Sequence, residues 1–216
     1  MSGFRALSKA GCLFIDDAVF NRQEDEGLRQ APDIPDVELR RFRCANARGL
    51  WDQLQAALQG IRAEWGAGAI MATGGGCAAA LALACQLPVD RIVLVDPSAP
   101  ADLSRLRRQG QTSPDSIRLQ RVQRRLARYA RRNLPLCVSD MLIVGHGREG
   151  ADNPLRRAYG TPVNSRVERL LIPDSWDKEL YTIREIAVKE AISRFLHPFE
   201  STKPLAENPE MCIIYG

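Results

Sequence analysis

Residues 66–84 read GAGAIMATGGGCAAALALA, and this stretch decides the fold that the sequence predicts. An apolar strand runs into three consecutive glycines, Gly74–Gly76, and then directly into a helix of small residues. Glycines at such a point permit a sharp turn and let the helix approach the sheet closely. In an open α/β sheet, ligands bind at the carboxyl end of such a strand. The stretch therefore predicts a strand, a tight turn and a helix, with a functional site at the turn.

Short apolar runs alternate with helical patterns along the rest of the chain. Strands are predicted at 11–19, 37–44, 68–73, 91–96, 136–145 and 166–172, and helices at 50–65, 76–86, 115–132 and 179–196. This alternation predicts an α/β fold, a three-layer sandwich with a mainly parallel, doubly wound sheet and helices on both faces. A chain of 216 residues is expected to form one domain, here over 1–197. The tail at 198–216 carries a short apolar patch that could add an edge strand.

Composition excludes several classes of protein. With 45% hydrophobic and 26% charged residues, the chain is neither collagen-like, low in complexity nor disordered. No apolar run reaches the ~20 residues of a membrane span, and Asp16 and Asp17 interrupt the segment where a signal peptide would have its apolar core. We therefore expect a cytoplasmic protein without a membrane partner. The six cysteines show no CxxC spacing and no cluster has metal-ligand spacing, so neither a disulfide framework nor a metal is expected.

A basic segment runs from Arg105 to Arg132. It holds ten arginines against one acid, Asp115, and so carries +9 in a chain whose net charge is +4. An apolar stripe at helical spacing lies within it, formed by Leu119, Val122, Leu126 and Tyr129. The pattern is typical of a docked surface helix with a solvated basic back. An anionic ligand is the stronger of the functional alternatives, because no aromatic platform or nucleic-acid motif accompanies the arginines.

From Trp51 to Pro97 the sequence resembles the α/β-hydrolase superfamily. A helix at 50–65 precedes the strand and the glycine turn, an alanine-rich helix ends at Leu87-Pro88, and RIVLVDP at 91–97 resembles the family's next strand. In this family the turn is the nucleophile elbow, G-x-S-x-G, which exposes a serine beside oxyanion-binding N–H groups. The resemblance thus implies an elbow at the glycine turn.

The resemblance continues along most of 11–197. The helix at about 113–133 falls where the family inserts a helical lid, and the strand ending at 143–147 stands before the position of the catalytic acid. Residues 170–173, followed by the helix at 179–196, resemble the family's last strand, histidine loop and final helix. The likeness rests on the order of the elements.

The residues that such a hydrolase needs are missing. Spacing places the nucleophile at Gly74, in a vestigial elbow formed with Thr73 and Gly75, and a shift of one residue would place Thr73 there. A β-branched threonine fits poorly where φ is positive. No histidine lies at 174–177, and Asp16-Asp17 stands where an oxyanion-binding loop is expected, so that carboxylates would oppose a developing oxyanion. These departures argue against Ser-His-acid hydrolysis.

Other side chains are weak candidates for chemistry. They are Cys77, Asp96, His146, Glu149, Asp152 and Trp176. Cys77 lies one turn into the helix, where a helix N-terminus can lower a thiol pKa, but a small buried residue is the expected role. His146 is expected to be packed, and Trp176 would plug a pocket or stack on a ligand. Asp96, Glu149 or Asp152 could serve as the acid, although an acid alone orients nothing.

A dinucleotide-binding protein is the alternative reading of the glycines. Gly74, Gly76 and Ala79 satisfy G-x-G-x-x-G/A, and Asp96 follows about where the ribose-binding acid belongs. This pattern would indicate an NAD(P)-dependent enzyme.

We favour a noncatalytic or atypical member of the hydrolase fold that binds a small ligand or a protein partner at a vestigial site and uses no cofactor. The third alternative is an esterase or thioesterase that uses Thr73 or Cys77.

Overall fold

Strands and helices alternate in the computed structural model, which describes residues 10–16, 19–20, 32–44, 48–66, 68–100, 114–146, 154–172, 178–197 and 212–215. The elements are β1 (Ala10–Ile15), β2 (Val37–Arg41), α1 (Leu50–Trp65), β3 (Ala69–Thr73), α2 (Cys77–Ala84), β4 (Arg91–Val95), α3 (Pro114–Asn133), β5 (Asp140–His146), α4 (Pro154–Tyr159), β6 (Val167–Ile172), α5 (Lys178–Leu196) and β7 (Cys212–Tyr215). None of the helices in these ranges is long and apolar enough to cross a membrane.

The strands form one sheet in the order β2-β1-β3-β4-β5-β6-β7. Strands β1 to β6 are all parallel, and β7 pairs antiparallel with β6 at the edge. The mainly parallel sheet is therefore confirmed. The chain passes from β1 outward to β2 and then returns to β3 on the other side of β1, so the order of strands reverses between β1 and β3. Such a switch point forms a crevice at the carboxyl ends of the strands, where ligands bind.

Helices cover both faces of this sheet. Alternate strand residues, such as Leu13 and Ile70, pack into one core with α1, α2 and α3. Their neighbours, such as Phe14 and Met71, pack into a second core with α5. Strands buried on both faces are apolar along nearly their whole length, as in parallel sheets generally. The three-layer α/β sandwich is thus confirmed.

The predicted lid is not confirmed for helix α3. This helix lies between β4 and β5, and two parallel strands need a crossover connection of this kind. Its apolar stripe is buried in the core shared with α2, and includes Leu119, Leu126, Ala127 and Ala130. The helix therefore belongs to the layer that covers the sheet, because its apolar stripe faces the core and leaves the arginines outside.

Several elements differ from the sequence prediction, and strand β2 ends at Arg41 rather than at residue 44. Strand β1 ends at Ile15 rather than at residue 19, and the chain turns there with the Val19 amide donating to the Asp16 carbonyl over 3.1 Å. Strand β5 begins only at Asp140, because Leu134–Leu136 form a 3₁₀ turn that contains a proline. Helix α4, with six residues, has too short a pattern to be predicted.

Candidate functional site

The glycine turn has the geometry of an elbow. Gly74–Gly76 form a 3₁₀ turn that joins β3 directly to α2. Gly74 has a φ of +49°, in the left-handed region that favours glycine, whereas Thr73 is extended with a φ of −118°. The strained residue between strand and helix is therefore Gly74.

The last glycine of the turn is required by its contact with β1. A Cβ atom on Gly76 would lie 2.4 Å from the carbonyl oxygen of Ile15. In a dinucleotide fingerprint, the corresponding glycine leaves room for a pyrophosphate. Here that room is filled by the backbone of β1, so close packing between turn and strand accounts for the glycine without a nucleotide.

A polar cluster lies beside the turn, at the carboxyl ends of β1, β2 and β3. One oxygen of Asp16 lies 2.8 Å from the guanidinium of Arg41, and its other oxygen accepts a hydrogen bond from the Thr73 hydroxyl over 3.3 Å. Only 13% of the Asp16 side chain and 16% of the Arg41 side chain are exposed. We call these three residues the carboxylate cluster.

The carboxylate cluster corrects the electrostatics expected for Asp16. The sequence suggested an uncompensated negative charge at this strand end, but the guanidinium of Arg41 compensates it. Arg41 was not among the predicted site residues. A signal existed, because the strand predicted at 37–44 carries arginines and the carboxyl ends of parallel strands meet at one edge of a sheet. Asp17 lies outside the described residues.

The cluster has little capacity for general base catalysis. A base must accept the proton of the nucleophile, and the Thr73 hydroxyl does point its proton toward Asp16. However, the Asp16 carboxylate is already held by the guanidinium of Arg41, and Thr73 lies in extended backbone before the bend rather than at Gly74. The contacts of Asp16 with Arg41 and Thr73 therefore connect three strand ends, and they do not activate the Thr73 hydroxyl as a nucleophile.

The two histidines lie near opposite ends of the parallel strands. His197 follows α5, and its ring contacts the carbonyl of Asp36 at 2.7 Å, next to the start of β2. His146 ends β5 at the same edge as the glycine turn, and its backbone pairs with Ile172. The structure therefore places the His197 ring away from the carboxylate cluster.

The other predicted residues are dispersed. Cys77 is fully buried in the core, with its Sγ 3.5 Å from the carbonyl oxygen of Ala72. Asp96 is exposed after β4 in a left-handed conformation with a φ of 46°, and its amide donates to the carbonyl of Val144. Glu149, Asp152 and Trp176 lie outside the described residues. Among the residues that the structure describes, no group of three or more His, Cys, Asp or Glu side chains could hold a metal ion.

The arginines of α3 form a basic outer face. Six of them are exposed, namely Arg118, Arg121, Arg125, Arg128, Arg131 and Arg132. Their side chains line the face opposite the apolar stripe, so the positive charge of the segment is presented outward.

Comparison with solved structures identifies the class of fold. A metagenome-derived lipolytic enzyme, from a study of LipS and LipT, superposes with a TM-score of 0.53 at 14% identity, covering 85% of this chain and 94% of that one. The NocB thioesterase domain, solved as a covalent complex with a fluorophosphonate nocardicin G analog, gives a TM-score of 0.51 at 16% identity, covering 87% and 95%. Rv0554 of Mycobacterium tuberculosis gives 0.50 at 14% identity, covering 86% and 89%.

The chain therefore has the α/β-hydrolase fold. No protein-family model matches the sequence, and no curated protein matches it. The likeness is one of fold and extends over most of the chain.

Proposed function

We propose that this protein is a noncatalytic member of the α/β-hydrolase fold that binds a small ligand or a protein partner at the vestigial elbow. The observation that carries the proposal is Gly74, which holds the strained elbow conformation without any side chain. Covalent hydrolysis by this fold needs a hydroxyl or thiol at that position to form the acyl intermediate. Glycine supplies neither a hydroxyl nor a thiol, so the proposed role is ligand binding without cleavage.

Acyl compounds are the ligand class that the site favours. The fold neighbours include lipolytic enzymes and a thioesterase domain. The turn lies at the switch point of the sheet, next to the carboxylate cluster of Asp16, Arg41 and Thr73. We therefore propose that an ester or thioester is held above the turn. The proposal keeps the cytoplasmic location expected from the sequence.

The test compares reactivity with binding. The purified chain is incubated with short-chain p-nitrophenyl esters, with acyl thioesters and with a fluorophosphonate probe. We expect no turnover and no covalent adduct. Non-hydrolysable thioether analogues of the same acyl compounds are then titrated in a thermal unfolding assay, where a ligand at 100 times its Kd adds about 2.7 kcal/mol. Sustained turnover would contradict the proposal.

An esterase that uses Thr73 is the second candidate, and the hydrogen bond from its hydroxyl to Asp16 favours it. Thr73→Val removes the hydroxyl and keeps the shape of the side chain. Turnover that is lost in Thr73→Val and retained in Cys77→Ala would establish this candidate. Cys77 is the weaker nucleophile, because it is fully buried.

The dinucleotide alternative is tested in the same thermal assay. Because β1 occupies the space beside Gly76, we expect neither NAD nor NADP to raise the unfolding temperature. A saturable increase with either nucleotide would support the alternative.

The basic face of α3 supports an additional proposal, an anionic partner. Its exposed arginines lie along one helix and attract negative charge, with a strength that decreases as salt screens them. Binding of polyglutamate that weakens with salt, and weakens further in Arg125→Gln/Arg128→Gln, would support this partner. Equal binding by the double variant would contradict it.

A further inference from the structure

Two cysteines lie close together at the C-terminal end of α2, the end opposite the glycine turn. Cys85 directly follows α2, and Cys137 follows the 3₁₀ turn that leads into β5. The Sγ of Cys137 lies 3.9 Å from the carbonyl oxygen of Ala84, the residue before Cys85. The two cysteines are therefore neighbours in space, and both are free. The fold thus brings together two thiols that are 52 positions apart in the sequence.

The surroundings of the pair make its two members unequal. Cys85 is partly exposed, whereas only 1% of Cys137 is exposed. The Sγ of Cys137 also lies 3.6 Å from the Ser139 hydroxyl oxygen. The neighbouring Cys85 side chain lowers the pKa of the Cys137 thiol, and Cys137 raises the pKa of the Cys85 thiol. One thiolate is therefore stabilised by its neighbour.

The other buried thiols differ from this pair. Cys12 is fully buried, and burial raises the pKa of its thiol far above the ordinary value. Cys77 is fully buried against the backbone carbonyls of Ala72 and Val95. A thiol without access to solvent and without a neighbouring thiolate is inert toward exchange.

We propose that Cys85 and Cys137 form a redox modification site that closes to an intramolecular disulfide when the chain meets a low-molecular-weight disulfide. In cytosolic proteins such bonds are transient and regulatory rather than structural. The proposal is independent of the function proposed for the elbow, because it concerns the opposite end of α2.

The exchange proceeds in two steps. Cys85, the thiol that solvent reaches, loses its proton and attacks one sulfur of the small disulfide, forming a mixed disulfide and releasing one small thiolate. The Cys137 thiolate then attacks the Cys85 sulfur and displaces the second small thiolate. The protein loses two protons and two electrons, and the small disulfide gains them and becomes two thiols.

The new bond would tie the end of α2 to the segment before β5. Closing a loop of this length restricts the unfolded chain and stabilises the folded one. For a chain of this size, we expect the Tm to rise by on the order of 10 °C after oxidation.

The experiment uses the full chain, first reduced and then incubated with oxidised glutathione. Free thiols are blocked with N-ethylmaleimide, and the protein is digested with trypsin without reduction. We expect one linked species that joins the peptide 63–91 to the peptide 133–148. Dithiothreitol should release both peptides and reverse the increase in Tm.

Matched variants assign the sulfur atoms, because the peptide 63–91 contains both Cys77 and Cys85. Cys77→Ala should keep the linked species and the increase in Tm, and Cys85→Ser should lose both. Fragmentation of the linked wild-type peptide assigns the bond even if a variant fails to fold. A bond to Cys77, or glutathione adducts without any linked species, would overturn the proposal.

Discussion

Replacing Gly76 by alanine tests the packing of the glycine turn. The added Cβ would lie 2.4 Å from the Ile15 carbonyl oxygen, and Cβ atoms in proteins essentially never approach a heavy atom closer than 3.0 Å. The obstacle is the backbone of β1, which is paired with strands on both sides, so no flexible side chain can move aside. Overpacking of this kind costs roughly 1–3 kcal/mol. We expect Gly76→Ala to lower the free energy of unfolding by about 2–3 kcal/mol.

Backbone conformation does not account for this loss. Gly76 has φ −63° and ψ −24°, which alanine adopts readily, and alanine is favoured over glycine in a helix by about 1 kcal/mol. Gly60 provides the matched control, because it lies inside α1 and nothing is within 4 Å of its added Cβ. We expect Gly60→Ala to raise the free energy of unfolding by about 0.5–1 kcal/mol.

Urea denaturation followed by circular dichroism measures both variants. A loss of 2–3 kcal/mol corresponds to a decrease in Tm of roughly 5–10 °C in a chain of this size. If Gly76→Ala proved as stable as the wild type, or gained stability as Gly60→Ala does, the turn would not pack against β1 as described. The dinucleotide interpretation would then regain its support, because the space beside Gly76 would be open.

Three further substitutions test contacts of the fold. Asp16→Asn removes the carboxylate that pairs with the mostly buried guanidinium of Arg41, and we expect urea denaturation to show a loss of about 1–3 kcal/mol in the free energy of unfolding. The comparison variant is Arg40→Gln, whose ion pair is half-exposed and should cost less than about 1 kcal/mol. Equal losses in the two variants would contradict the burial of the cluster. Tyr159→Phe removes a hydroxyl that donates a hydrogen bond to the backbone carbonyl of Ser98 over 2.7 Å. Thermal unfolding should therefore show a loss of about 1 kcal/mol in the free energy of unfolding. An unchanged stability would mean that water replaces this hydrogen bond. Ser139→Ala removes the hydroxyl that donates a 2.6 Å hydrogen bond to the buried carbonyl of Val89. Urea denaturation should show a loss of about 1–2 kcal/mol in the free energy of unfolding. A variant as stable as the wild type would contradict the burial of this hydrogen bond.

Local patterns predicted the part of the fold that positions the site. The strand, the glycine turn and helix α2 follow from one continuous stretch, because glycine and small residues determine backbone conformation over a few positions. Helix α1 was predicted with the bounds 50–65 that the structure has, since its buried residues recur at helical spacing. Gly74 has the positive φ expected of a glycine at a sharp turn, and the assignment of a nucleophile position to it stays a prediction.

Contacts between distant segments were beyond such patterns. The pairing of Asp16 with Arg41 depends on the register between β1 and β2, in which Phe14 lies beside Arg41, and no local signal determines that register. The contact of Cys85 with Cys137 likewise depends on how α2 meets β5. For α3, the apolar stripe predicted a docked face, but the stripe alone did not identify α2 as the surface that it covers.

Strand β7 affects how this protein meets other molecules. It pairs with β6 through residues 168–171, and so occupies hydrogen-bonding groups that would otherwise lie open along that side. Open strand sides attract other chains and promote aggregation. The open edge of the sheet is thereby moved from β6 to a strand of only four residues, and a short edge strand is a poorer template for pairing with another chain. A fusion partner or an immobilising tag attached beside residues 212–215 would disturb this edge.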